Sequence, residues 1–531
     1  MRRTRLIKLL LLLLATGFAG SLQATDWTQF GYDQAHSGFN AAEPGYSTAT
    51  GNVVVPAFAG GIALTHQTDS APIFLGGVAT ASGTKDLIFI NALDGTLTAK
   101  DASTGTTVWS QQPPVAPGSD FVLAHGGSNG SPAIDPAHQY VFHYGLDGKI
   151  HKYQVGDGTE IVTGGWPQVA TAKPDQEKGA SSVAIATTPS GTFLYYVNDG
   201  YDGDGGDYQG HLTTINLATG AQKVFNSLCS NVSVHLTKSG GANPCNRAQS
   251  GIWGRPGAVY SPATNRVYIS TGNGPNDPAN FRWGDSVLAL NADGSGSAEG
   301  YPIDAYIPTT TDLLNSSDAD LGDTSIVILP TPAGSTVANV GIQGGKDGCV
   351  RLLNLGLLNG QYDQLNSTTK PPIRGGELQA FDLPGVAGGA QTYCQLGNAN
   401  SGQNRSTFKP QPAVWVNPAD GAIWIYVAHN NGLASYTLGL DGSNKPTLTA
   451  HWTSASSGTS PVVANGTVYY IAGSRVVALN ATTGASIWSG PSMGGIHWQS
   501  PILVNGHVYA IDNTSKLWAF QLDGIFKNGL Q

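Results

Sequence analysis

The chain has 531 residues, including 71 Gly, 30 Pro and 11 Trp, and only 11% of its residues are charged. Gly and Pro at that density punctuate turns and break helices, while plentiful aromatic and β-branched residues exclude a disordered chain. The formal charge of −9 argues against nucleic acid and anionic lipid as partners.

In chain order, residues 1–24 read as a signal peptide. Arg2, Arg3, Arg5 and Lys8 form a basic start, an apolar core runs from Leu9 to Phe18, and Leu22-Gln23-Ala24 offers a small residue for cleavage. The apolar stretch is short for a membrane span. Its removal takes four positive charges with it, moving the net charge from −9 to about −13. A periplasmic or secreted protein is expected, with no membrane span. No cysteine lies near the cleavage site, so no lipid anchor is expected. Cys229, Cys245, Cys349 and Cys394 are an even number in an exported chain, which reads as two disulfides. Three pairings are open; Cys229–Cys245 and Cys349–Cys394 are favoured because each pair flanks one loop-rich insertion.

The strongest signal is a repeat. DGTLTAKDASTGTTVW (94–109) and SRVVALNATTGASIW (474–488) align on Thr104-Gly105 and Thr483-Gly484, and both close on a Trp, Trp109 and Trp488. LTTINLATGAQKVF (212–225) keeps the turn at Thr219-Gly220 and closes on Phe225. Each copy is a run with alternating apolar residues, a turn, and a second run ending on an aromatic: a β-hairpin. Eight units start near Ala71, Gly130, Ala180, Ile252, Thr324, Gln411, Thr459 and Ser500. Several open on an x-Pro step: Ser131-Pro132, Arg255-Pro256, Ser460-Pro461 and Ser500-Pro501. The shortest spacings match a four-stranded blade. The eighth unit is short by a strand, and residues 27–60 belong to no unit. The expected fold is all-β: an eight-bladed propeller of four-stranded antiparallel blades, closed by pairing the N- and C-terminal segments. Residues 25–531 are expected to form one domain, with 25–70 leading in and closing the ring. Insertions near 200–208, 229–250, 275–283, 304–322 and 361–409 should stand on its faces.

The pattern Ala-x-Asp/Asn-x-x-Thr-Gly-x-x-x-Trp, at Ala99–Trp109 and Ala478–Trp488, resembles the tryptophan-docking repeat of the quinoprotein propellers. WTQFGYDQAHSGFN (27–40) also looks like that superfamily's opening segment. The superfamily holds pyrroloquinoline-quinone-dependent alcohol dehydrogenases and non-catalytic members, among them an outer-membrane assembly lipoprotein. The resemblance makes Trp109 and Trp488 glue between blades. It also implies a site. The segment 251–290 is similar to the enzyme branch, which points to Trp253 as a floor under the quinone and Asn273 as a calcium ligand. The loop 201–220 stands where the enzymes carry an acidic calcium ligand, pointing to Asp207, with Asp204 next. GGKDGCVRLLN (344–354) points to Lys346 as the cation contacting the quinone. The stretch 305–324 stands where the catalytic Asp lies, and Asp318 and Asp320 are the candidates.

These residue types suit the chemistry. A hard cation held by oxygens polarises a quinone carbonyl, a carboxylate takes the substrate's hydroxyl proton, and a Lys stabilises charge on the quinone oxygen. The departures weigh on the other side. The chain has no adjacent cysteine pair, no Trp-Asp step at Asp312, Asp318 or Asp320, and no Cys-x-x-Cys-His for a c-type haem. Read from residues alone, Asp202, Asp204 and Asp207 also suit a solvated Gly-rich turn, Gly272-Asn273-Gly274 is a turn former, Trp253 suits packing, and Lys346 suits an exposed hairpin. The twelve histidines show no metal spacing, although His125, His429 and His497 stand where they could line a face. Two functions are therefore carried forward. Slightly favoured is an exported, non-catalytic propeller of the cell envelope that binds protein or polysaccharide. The alternative is a dehydrogenase using pyrroloquinoline quinone and calcium on an alcohol or polyol, with a separate electron acceptor.

Overall fold

A computed structural model describes residues 26–43, 54–58, 60–115, 119–238, 245–384, 394 and 407–522. The signal peptide expected over 1–24 lies outside them. Eight antiparallel sheets form the propeller. Blade 1 is Ile73–Thr80, Gly83–Asn91, Leu97–Asp101 and Thr107–Gln111; blade 2 is Ala133–Ile134, Tyr140–Tyr144, Lys149–Gln154 and Gln168–Val169. Blade 3 is Ala184–Thr188, Gly191–Val197, His211–Asn216 and Gln222–Asn226; blade 4 is Val259–Ser261, Arg266–Ser270, Val287–Asn291 and Asp304–Tyr306. Blade 5 is Val327–Leu329, Val340–Gln343, Cys349–Asn354 and Gln379–Asp382; blade 6 is Ala413–Val416, Ile423–His429, Gly432–Leu440 and Pro446–Ser454. Blade 7 is Val462–Ala464, Thr467–Ala472, Arg475–Asn480 and Ser486–Ser489. Seven blades begin within four residues of a start read from the sequence, and blade 4 begins at Val259, seven residues after Ile252.

Blade 8 contains Ile502–Val504, His507–Asp512 and Lys516–Leu522, and its fourth strand is Val54–Pro56 from the other end of the chain. Val54 pairs with Leu522 and Pro56 with Phe520. Ile62–Ala63 adds a second short pairing to the same strand. The ring is therefore closed by hydrogen bonds between the two ends, as the missing strand of the eighth unit implies.

The second strand of each blade is packed between neighbouring sheets on both faces. That is why LIFIN, FLYYV, WIYVAH and TVYYI are apolar without alternation; Leu87, Ile88, Phe89, Leu194 and Tyr426 are fully buried. Blade-to-blade contact follows one rule. The indole of Trp109 in blade 1 lies on Gly158 of blade 2, where a Cβ would stand 2.7 Å from the ring, and its Nε1 donates to Val155 O at 2.9 Å. Trp452 of blade 6 lies on Gly484 of blade 7 in the same way, donating to Ala481 O at 3.1 Å. A side chain at either Gly would push the blades apart. Trp488 is half-buried and meets Phe520 of blade 8 edge to face at 5.3 Å.

The chain's first described stretch, Asp26–Glu43, runs as a strap along the inner strands. Trp27 exchanges backbone bonds with Phe74, Thr28 O accepts from Ile134 N, and Gln29 Oε1 accepts from Ile185 N. Further along, Gln34 O accepts from Tyr260 N, Ser37 O from Val414 N, and Gly38 O from Val463 N. Asn40 Nδ2 donates to Leu503 O at 2.8 Å. Seven of the eight innermost strands are thus tied to one segment. The gap left between strap and strands is about 10 Å³, room for one water at most.

Two short helices stand among the strands of this all-β fold. Ser119–Ala124 and Thr311–Ser316 are α-helical, each six residues and too short to show a helical period. Both favoured disulfides are present, Cys229–Cys245 and Cys349–Cys394. Among the described residues no helix is long and apolar enough to cross a membrane.

Replacing Trp109, which is 7% exposed, with Ala is expected to cost about 3–5 kcal/mol in guanidinium denaturation. Trp488→Ala, at a half-exposed ring, is expected to cost less than half as much.

Candidate functional site

Where the strap covers one end of the axis, loops that enter the inner strands meet at the other. They enclose a cavity of about 480 Å³. Its wall carries four cations, Lys178, Arg255, Lys346 and Lys409, against four carboxylates, Asp204, Asp318, Asp320 and Asp323, with Trp253 and Trp498 as aromatic surfaces. Five residues singled out from sequence line this one cavity: Asp204, Trp253, Asp318, Asp320 and Lys346.

Asp320 is at the centre of the group. Its loop is held from three sides: Leu321 N donates to the buried Asp285 Oδ1, Gln343 Nε2 donates to Leu321 O, and Lys346 N donates to Asp320 O. The Asp320 side chain is 2% exposed. Oδ1 accepts from Asn273 N at 2.6 Å, and Oδ2 lies 2.5 Å from Lys346 Nζ. Burial pushes its pKa up to about 6, against the pull of the Lys346 ammonium, and Asp323 adds to the rise. The Lys346 pKa is raised as well: burial disfavours its charge, but Asp320, Asp323 and Asp318 outweigh that and hold it protonated. Asp318 has a left-handed backbone and a largely exposed side chain, 3.1 Å from Lys346 Nζ. Asp320 is thus the buried carboxylate and Asp318 the outer one.

Asn273 links the carboxylates. Its Nδ2 donates to Asp204 Oδ2 at 2.9 Å while its backbone N serves Asp320. This closeness needs Gly at 272, where a Cβ would stand 2.3 Å from Asp320 Oδ1 and 3.0 Å from the Trp253 indole nitrogen. Asp207 is not among the cavity's lining residues. The structure turns it to the buried Lys173, whose Nζ donates to Asp207 O at 3.0 Å and lies 3.4 Å from its carboxylate. Asp204, second in order from sequence, is the residue of that loop that reaches Asn273.

Several residues went unread in the sequence. Arg255 is buried on the axis, donating to Ala180 O at 2.9 Å and stacking over Trp498 at 4.6 Å. Asp69 lies 4.0 Å from it and holds the Trp498 loop, accepting from Trp498 N at 2.9 Å and pairing with His497 Nδ1 at 2.7 Å. Lys409 pairs with Asp323 at 3.3 Å. Asp199 is fully buried behind the wall, with no hydrogen-bond partner for either oxygen among the described residues; burial raises its pKa well above the usual carboxylate range, against Lys178 and Arg255. The Arg255 signal was present: Arg-Pro stands where three other units have Ser-Pro. The others are single residues in irregular loops.

Buried polar atoms without a partner show what the cavity can take. Tyr208 Oη, fully buried and within the electrostatic reach of Asp320 and Asp204, and Trp253 Nε1 have none among the described residues. An all-oxygen set of Asp204, Asp320, Asn273 and Tyr208 suits a hard cation. Two indoles with four surrounding cations suit a planar aromatic anion.

Residues 412–526 match the family model described as outer membrane protein assembly factor BamB. Among solved structures, the chain is similar to a europium-containing methanol dehydrogenase, at 15% identity over 93% of this chain and 89% of that one, TM-score 0.62. It is similar to a quinohemoprotein alcohol dehydrogenase from Comamonas testosteroni, at 15% identity over 94% and 80%, TM-score 0.58. A quinohemoprotein alcohol dehydrogenase from Pseudomonas putida HK5 is alike at 14% identity over 94% and 80%, TM-score 0.62. At these identities the likeness is one of fold. No curated protein matches the sequence.

A carboxyl whose folded pKa lies above the unfolded 3.8 binds its proton more tightly when folded. The stability from that proton is complete below 3.8 and is lost as pH rises through about 6. Carboxyl-¹³C NMR of the protein without ligands is expected to show Asp320 titrating near 6. Lys346→Met, which removes the opposing ammonium, is expected to move that midpoint higher.

Proposed function

We propose, for a chain built from PQQ-like propeller repeats, that the axial cavity is an oxidoreductase site. It holds a pyrroloquinoline-type quinone with a divalent cation and acts on the CH–OH group of an alcohol or polyol. The observation that carries this is convergence: Asp204, Asn273, Asp320, Lys346 and Trp253 come from separate loops and meet at the axis. Packing alone does not require a buried carboxylate, an opposing ammonium and an unpartnered indole N–H in one place.

Each residue has a role in this reading. Asp204 and Asn273 hold the cation, with the Tyr208 hydroxyl beside them. Trp253 supports the flat face of the quinone and keeps water from it. Lys178 and Arg255 balance its carboxylates. When bound, the quinone is the two-electron acceptor. Asp320, ionised above about pH 6, takes the substrate's hydroxyl proton. Lys346 neutralises charge that builds beside it. Electrons leave to a separate acceptor. The protein works in the periplasm or outside the cell, where two disulfides persist.

A second reading is a non-catalytic envelope propeller that binds protein or polysaccharide. It is favoured by the family match over 412–526, and by Asp320, whose two oxygens already serve Asn273 and Lys346. One experiment separates the readings. The mature protein is incubated with pyrroloquinoline quinone and calcium, freed of excess, and assayed by absorption and by dye-linked oxidation of an alcohol panel. The first reading predicts calcium-dependent quinone retention and turnover. Asp320→Asn then lowers turnover by on the order of 10²–10⁴ while quinone is retained. No retained quinone at saturating concentration leaves the binding reading.

A further inference from the structure

A second cavity, of about 620 Å³, opens beside the axial one over blades 6 to 8. The two share Trp498 and Lys409 as a common wall. The chemistry changes across that wall. The axial side carries eight charged groups, whereas among the described residues Lys409, which is paired with Asp323, is the one Asp, Glu, Lys or Arg lining the second cavity. The rest of the described lining mixes hydroxyl, amide and bare backbone, from Thr407, Ser457, Ser474, Asn430 and three glycines, with the apolar faces of Pro410 and Ile496. His429 also lines it, and burial lowers its pKa to about 4, so it is neutral at pH 7.

Trp498 is fixed in place at the junction. Arg255 stacks on its ring at 4.6 Å, and the buried Asp69 holds its backbone N–H at 2.9 Å. A rigid, half-buried indole beside neutral donors and acceptors suits a ligand with an apolar ring face and a rim of hydroxyls. An alkyl chain would strip water from the Ser457 and Ser474 hydroxyls without replacing it, and a polyanion would find one described cation already paired. The volume admits at least one pyranose ring.

We propose that this second cavity is a saccharide subsite. It takes the penultimate sugar unit of an oligosaccharide whose terminal CH–OH group enters the axial cavity. The placement of that terminal group rests on the oxidative reading above; the sugar binding does not.

The test is calorimetric and saturation-transfer NMR titration of the mature protein with maltotriose, cellotriose, glucose and 1-octanol, with quinone retention measured on the same sample. At least one trisaccharide is expected to bind tenfold or more tightly than glucose, because sites built for hydroxyls discriminate by hydrogen bonding, and octanol is expected not to saturate. Ser474→Trp, at a hairpin tip lining the cavity, is expected to weaken the trisaccharide at least tenfold without changing quinone or calcium retention. Ser457→Trp, at an exposed position on the same wall, should do the same, and thermal melting checks that each variant folds. Octanol binding as tightly as the trisaccharides, no trisaccharide binding, or unchanged affinity in a folded Trp variant would overturn the proposal. Trisaccharide binding without quinone retention keeps the subsite and removes the oxidative reading; quinone retention without trisaccharide binding removes the subsite alone.

Discussion

The inner strands of a propeller are open edges facing a channel, with backbone groups that need partners. Here the strap Asp26–Glu43 supplies them, bonding to the inner strands of blades 1–4 and 6–8. The same stretch of chain goes on to Val54–Pro56, which closes the ring against Lys516–Leu522. One segment therefore does two things. It joins the ends, and it fills the channel until about 10 Å³ is left. Among the described residues, the strap's side of the axis leaves a ligand no room, and the larger cavity lies on the other face.

That face gathers charge at a cost. Asp199, Asp285 and Asp320 are buried, and burial raises the pKa of each. Such groups oppose folding when ionised and unpaired. Close approach of backbone, as at Gly272, and cations on the wall keep the cluster together. Strained and poorly satisfied polar groups concentrate where function sits. Between blades the opposite holds: indole on Gly, apolar strand on apolar strand.

The fold was legible because it is periodic. Eight starts, a turn with Gly and a closing aromatic recur along the chain, and the absent last strand forecasts closure by the N-terminus. The strap's contacts were not legible, since Gln29, Ser37 and Asn40 act through backbone edges far away in sequence. In the site, Trp253, Asn273 and Lys346 sit on or beside repeat strands, where the register can be counted. Asp204 and Asp207 share an irregular Gly-rich loop, and nothing in its composition says which one turns to Lys173. Arg255 broke the Ser-Pro pattern and was passed over. Asp69, Lys409 and Trp498 come from three further loops and are joined only by the ring's curvature, which a linear reading does not carry.

We propose that ring closure leaves an open axial face, where a quinone and a cation are held over Trp253. The most direct test is a crystal structure of the mature protein soaked with pyrroloquinoline quinone and calcium. The account predicts planar density lying on the Trp253 indole, with a metal peak within bonding distance of Asn273 and Asp204. Density on the strap's face, or an axial cavity filled by ordered water alone at full soak, would contradict it.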